Sequence, residues 1–154
     1  MAESVFRSPG EGEVLENPVG GDIVFKVRGG QAGGGMLTFE TVVPPGEGPP
    51  LHTHANEDET LYVLEGDVRF KLGDELRSGS PGSFAFIPRG TPHTWQNAGA
   101  APARMLIHFA PAGMERFFEG FAALESSGPD AFAAAAARAG MEVVGPPLSR
   151  SDPL

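Results

Sequence analysis

Glycine and proline recur along the whole chain, 22 and 15 of its 154 residues, and this density of breakers leaves room only for short elements joined by many turns. An all-helical bundle is excluded on that ground. At this length one domain is expected, large enough to bury roughly 68–70% of its unfolded surface by itself. Between the breakers stand short apolar runs, Ile23 to Val27, Met36 to Val43, Thr60 to Leu64, Asp67 to Leu72, Ser83 to Ile87, His93 to Gln96 and Arg104 to Phe109. Seven such runs predict an all-β sandwich or barrel. Gly66-Asp67 and Gly73-Asp74 supply residues suited to tight turns, so successive antiparallel pairing is expected at both.

The strand period of two assigns faces. Val68, Phe70 and Leu72 share one side and Arg69 and Lys71 the other; Glu59, Leu61 and Val63 fall together, as do His93 and Trp95. Beyond Pro111 the spacing changes to steps of three and four: Met114, Phe117, Phe118, Phe121 and Leu124 predict a helix over Ala112 to Glu125. Ser126-Ser127-Gly128 is expected to break it, and Asp130 to Ala139 to form a second helix, with Pro129 at its start and Gly140 at its stop. The phenylalanine stripe is read as a lid over an open end of the barrel or as a dimer contact. This gives an N-terminal arm, 1–21, in which Val14 and Leu15 offer an edge segment, a barrel, 22–111, and a C-terminal helical extension, 112–154.

Eleven basic residues against twenty acidic ones give a net charge of -9, which argues against nucleic acid and anionic lipid as partners. There is no cysteine, so disulfides, thiolate nucleophiles and zinc–thiolate sites are excluded, and any metal must be held by histidine and carboxylate. No run of 18 apolar residues occurs and the first 21 residues lack the apolar stretch of a secretory leader, so a soluble cytoplasmic protein is expected. Nine arginines against two lysines, with abundant alanine, match a GC-rich bacterial coding bias.

Four histidines are present, and His52 and His54 stand one residue apart with Glu57, Asp58 and Glu59 just behind them. In an extended segment residues i and i+2 project to the same side, so these two imidazoles can chelate one ion and a carboxylate can join them after a bend. Nitrogen and carboxylate oxygen together suit one divalent transition metal ion, Fe, Mn, Ni, Co, Cu or Zn.

The spacing of these residues resembles the cupin superfamily. Its first motif stands here as Gly46-EGPPL-His52-Thr-His54-ANED-Glu59-TLYVLE-Gly66, and its second as Gly82-SFAFI-Pro88-Arg-Gly90-TP-His93-TWQ-Asn97, with 15 residues between them. Two spaced motifs that take up three of the four histidines are a specific signal, and the resemblance covers Ile23 to Pro111. It implies a cupin double-stranded β-helix, a jelly-roll barrel, with His52, His54, Glu59 and His93 as metal ligands. Asp58 is the alternative carboxylate under the shorter spacing, and Glu57 is expected to face solvent. His108 is expected not to be a ligand, and Gly46, Gly66, Gly82 and Gly90 are read as scaffold at turns.

The resemblance further implies a small single-domain, quercetin dioxygenase-like oxidoreductase acting on a small enol, phenolic or polyketide-like substrate. Glu59 is the expected catalytic base, and Phe70, Phe84, Phe86, Trp95 and Phe109 the expected apolar pocket. Metal-dependent cyclases, isomerases and decarboxylases share the same parts, and a non-catalytic ligand-binding or sensor cupin is the alternative of a different class. A homodimer is expected, through exposed barrel strands or the phenylalanine-rich helix.

Overall fold

The computed structural model of the chain describes residues 1–17, 21–124 and 128–154. In chain order the strands are β1 (Glu13–Leu15), β2 (Ile23–Val27), β3 (Leu37–Val43), β4 (Pro50–His54), β5 (Asp58–Glu65) and β6 (Val68–Leu72). They continue with β7 (Glu75–Gly79), β8 (Phe84–Ile87), β9 (His93–Asn97) and β10 (Ala103–Ala110); helices α1 (Glu115–Ala122) and α2 (Pro129–Arg138) precede β11 (Met141–Pro147) and a last turn, α3 (Leu148–Ser151). Two antiparallel sheets result, one ordered β1-β2-β3-β10-β5-β8 and the other β11-β4-β9-β6-β7. The cupin jelly roll with short C-terminal helices is the architecture observed.

The core lies between the sheets because the strands alternate. In β10 Ala103, Met105, Ile107 and Phe109 are buried and their neighbours are half-buried, and in β3 Leu37, Phe39, Thr41 and Val43 are buried between half-buried Thr38 and Glu40 and exposed Val42. The strands pair along Ile107↔Phe39, so one continuous apolar face looks across at the second sheet.

The two glycine turns behave differently. Gly73, at φ +59°, closes the β6–β7 hairpin, with Leu72 opposite Glu75. Gly66 makes no hairpin: β5 and β6 belong to different sheets, which corrects the expectation of successive pairing there. At φ +89° it turns a corner, and a side chain on it would come within 2.9 Å of Ala103, so the glycine is needed for close approach as well as for conformation.

Met114, Phe117 and Phe121 are buried within this chain, which makes the phenylalanine stripe a lid. Phe132 of α2 meets Phe117 and Phe121 edge-on at 5.0 and 5.3 Å, locking the two helices together over the barrel mouth. The segment expected to break the first helix, with that helix's expected end at Glu125, lies outside the described residues apart from Gly128. The arm and the extension also join the sheets, since Glu13–Leu15 pairs with β2 and Met141–Pro147 with β4. Among the described residues no helix is long and apolar enough to cross a membrane.

Candidate metal centre

β4 projects His52 and His54 to one side, and His93 on β9 is the register partner of His52. Glu59 comes from β5 in the opposite sheet, so a carboxylate faces three imidazoles across the barrel. One donor atom from each of His52, His54, Glu59 and His93 lies within 4.8 Å of the others, and all four residues are buried. The ring centroids of His52 and His93 are 4.4 Å apart, and those of His54 and His93 5.2 Å.

Hydrogen bonds fix which nitrogen each ring offers. A carbonyl only accepts, so His52 Nδ1–H donates to Pro50 O at 2.7 Å and His93 Nδ1–H to Thr91 O at 2.8 Å. Glu59 Oε2 accepts from His93 Nε2–H at 2.6 Å and from His54 Nε2–H at 3.0 Å. His54 Nδ1 is buried with no partner.

The electrostatics follow. Burial pushes His52 down to about 3, with the neighbouring His93 and His54 adding to the effect. Burial alone would raise Glu59, but the ring N–H bonds and the imidazole charges outweigh it and hold the carboxyl well below the usual carboxylate range. Burial likewise disfavours charge on His93, yet the bond to Glu59 and its charge raise this ring above its ordinary value. A buried carboxylate therefore sits among imidazoles whose ring protons supply its only close positive charge among the described residues. Three imidazole nitrogens and one carboxylate oxygen in that arrangement fit a divalent transition ion, which would take over the charge compensation from those protons.

The neighbouring carboxylates separate clearly. Asp58 points outward and is held by the backbone N–H, Nε and Nη2 of Arg89 at 2.9 to 3.2 Å, bonds that keep it below the usual range. Glu57 does not face solvent as expected: it is 1% exposed, and its burial raises the carboxyl above its ordinary value. The bend between β4 and β5 turns it under the cap, where a side chain on Gly113 would come within 3.0 Å of its Oε1. His108 lies on the outer face of β10, bonded through Nδ1 to Thr38 Oγ1 at 2.7 Å.

A cavity of about 120 Å³ opens from the cluster toward the helical cap. His52, His54 and Glu59 form its polar end, and Phe39, Trp95 and Phe109 line the barrel side. Met114, Phe117, Phe118 and Phe132 close the cap side. Trp95 and Phe109 thus stand where the expected pocket has them, Phe109 with its ring 5.0 Å from that of His54. The other three do not. Phe84 and Phe86 are 65% and 57% exposed, because the parity of β8 turns Ala85 and Ile87 inward instead. Phe70 is buried, but over Gly79 and away from the cavity wall. The cap phenylalanines and Phe39 are the wall residues that sequence reasoning missed; the helical stripe was the available signal, since a lid over the barrel mouth necessarily faces whatever space lies beneath it.

Comparison with known proteins agrees with this geometry. The cupin domain family matches residues 39–109. An uncharacterised protein of Methanocaldococcus jannaschii is 36% identical over 67 residues, 44% of this chain and 54% of that protein. The tetracenomycin polyketide synthase protein TcmJ of Streptomyces glaucescens is 34% identical over 68 residues, 44% of this chain and 45% of that protein. The matches thus span about half the length of these curated relatives. The crystal structure of TT1209 from Thermus thermophilus superposes with a TM-score of 0.55 at 32% identity, covering 63% of this chain and 89% of that one. With both motifs complete, the two sheets in jelly-roll order and the family match over residues 39–109, the chain carries a cupin domain.

Proposed function

We propose that the protein is a metal-dependent, dioxygenase-like oxidoreductase acting on a small enol or phenol. The observation that carries this is the pairing of a four-donor cluster with a largely apolar cavity that has no lysine or arginine in its wall among the described residues. His52, His54, Glu59 and His93 would hold the ion. When bound, it supplies Lewis acidity toward a substrate oxygen and, if redox-active, a route for electrons to dioxygen.

The chain's own residues do the rest. Glu59 is the only carboxylate of the cavity wall among the described residues, so it is the group positioned to take the proton of a substrate hydroxyl. Phe39 and Phe109, 6.2 Å apart and inclined by 27°, offer flat apolar surface beside that polar end. The cap phenylalanines exclude water. The second carboxylate of a dicarboxylate would meet no lysine or arginine in this wall among the described residues, which ranks decarboxylation of such acids lower. The volume suits about one aromatic ring, since a dry cavity of about 150 Å³ holds benzene. A one-ring or short-chain enol is therefore favoured over a flavonol or a polycyclic polyketide.

Elemental analysis and oxygen uptake test this together. Protein purified without a metal-affinity tag is expected to carry close to one equivalent of transition metal and to consume dioxygen with some member of a panel of one-ring phenols, enols and 1,3-diketones. Isomerised or cyclised product without oxygen uptake moves the assignment to a metal-dependent isomerase or cyclase. Tight binding with no product makes the protein a ligand-binding module, and absence of metal overturns the reading altogether. A homodimer belongs to the same proposal, supported by Phe84 and Phe86 exposed on the edge strand β8, and light scattering near twice 16.1 kDa is the expected mass.

A further inference from the structure

The three histidines of the cluster are not held alike. His52 and His93 each anchor Nδ1–H on the carbonyl two residues back, Pro50 and Thr91, which leaves Nε2 as the nitrogen facing the cluster. His54 has no such carbonyl. Its ring proton sits on Nε2, spent on Glu59, while Nδ1 is buried and unpartnered. A cation bound at Nε2 requires the proton to move to Nδ1, and a buried Nδ1–H without an acceptor costs roughly 1–3 kcal/mol.

The next bend of the chain carries an unpartnered acceptor. Glu57 is 1% exposed, and its Oε2 is a second buried atom without a hydrogen-bond partner. Glu57 stands in the bend between β4 and β5, three residues after His54, and Gly113 of the cap leaves room for its carboxylate where any side chain would press on it.

We propose that Glu57 is a positioning residue of the metal centre, whose carboxylate accepts the Nδ1–H of His54 and so fixes that ring with Nε2 toward the ion. The inference rests on the metal-binding reading above. It makes Glu57 the counterpart, for His54, of the two carbonyls that orient His52 and His93, and it ties the first turn of the cap to the centre beneath. Such outer partners commonly contribute 10- to 100-fold in metal affinity.

The test uses cobalt(II) as probe, with affinity measured by competition against a chromophoric chelator and the ligand-ring N–H protons followed by paramagnetic proton NMR. Wild type is expected to show three slowly exchanging imidazole N–H signals, one per histidine. Glu57→Leu is expected to bind cobalt about 10- to 100-fold more weakly and to lose one of the three signals to solvent exchange, the carbonyl-anchored two persisting. Glu57→Gln keeps an acceptor oxygen; it is expected to stay within about threefold of wild type and to retain all three signals, and it keeps the test open if Glu57→Leu fails to fold. Three signals and wild-type affinity in Glu57→Leu overturn the proposal while leaving the metal centre intact. Loss of a signal in Glu57→Gln to the same degree as in Glu57→Leu also overturns it. A wild type that takes up no cobalt overturns the metal-binding reading, and this inference with it.

Discussion

The barrel end of the cavity and its helical end are built on different logic. On the barrel side each residue's direction follows from its own strand: Glu59, Leu61 and Val63 are inward because β5 alternates, and His52 and His54 share a side because they are two apart. On the cap side the direction of Phe117 and Phe118 is set by what the helix packs on, and the same stripe would serve a dimer contact equally well. Strand parity therefore fixes the chemistry of the site, whereas a long-range packing decision fixes the shape of the space above it.

If that division is right, the two ends can be broken separately. The largest effect belongs to the donors: Glu59→Ala or His52→Ala is expected to abolish stoichiometric metal in chelator-competition and elemental analysis while leaving the far-UV circular dichroism unchanged. Removing Glu59 leaves the Nε2–H groups of His54 and His93 without their acceptor, so a loss of stability accompanies the loss of metal, and the unchanged circular dichroism shows that the barrel persists. Retention of full metal content by Glu59→Ala would remove the carboxylate from the centre.

The cap carries the next largest effect, on stability instead of metal. Phe117 is buried and stacked on Phe121 at 5.8 Å, and Phe117→Ala is expected to cost about 3–5 kcal/mol in urea unfolding. Its cobalt affinity is expected to match wild type. A metal defect of the same size as the stability defect would show that the two ends are coupled more tightly than their construction implies.

The same division accounts for what was legible in the sequence. The alternating strands β2, β3, β5, β6 and β10 and the His52–His54 pair could be read locally, because period and spacing are local properties, while Glu59 and His93 joined that pair only through the resemblance to the two cupin motifs. β7 could not: four of its five residues are exposed, and it is held by backbone pairing to β6, which leaves no apolar period to find. β11 contains Gly145, Pro146 and Pro147 and pairs irregularly at the sheet edge, the place where such residues are tolerated. In β9 all five residues are buried, since Thr94 and Gln96 bond to the carbonyls of Pro49 and Gly46, and alternation there is hidden. Glu57 escaped for a related reason: it sits in the bend before β5, where parity is undefined, and its cover comes from the cap.

An intermediate effect comes from pH in the chelator-treated protein, and its sign differs among the ligands. His52 is lowered to about 3 from 6.5, so its contribution to stability is complete above 6.5 and is lost as the pH falls toward 3. Glu59, also lowered, acts in the same direction, its contribution being complete above 4.5 and lost on further acidification. His93 is raised, so its contribution is complete below 6.5 and is lost as the pH climbs through its elevated value. The urea midpoint is therefore expected to fall on both sides of neutrality. His52→Asn is expected to flatten the acid limb between 6.5 and 4.5, below which Glu59 still contributes, and to leave the alkaline limb in place. An unchanged acid limb would mean that His52 is not held neutral by its burial among the other rings.

The smallest effect is the one that separates neighbours in the sequence. Asp58 lies between Glu57 and Glu59, yet its carboxylate points away from the cluster and holds Arg89 at the surface. An exposed pair of this kind contributes little, because water and salt screen it in the folded chain and solvate both partners when it is broken. Asp58→Ala is accordingly expected to change cobalt affinity by less than about twofold, with oxygen uptake unaltered. The Arg89 contact does touch the loop that leads to His93, whose Gly90 N–H donates to His54 O at 2.7 Å. A larger loss in Asp58→Ala that is reproduced by Arg89→Ala would therefore locate the fault in the placement of His93, whereas a loss confined to Asp58→Ala would bring Asp58 back as a ligand and displace Glu59.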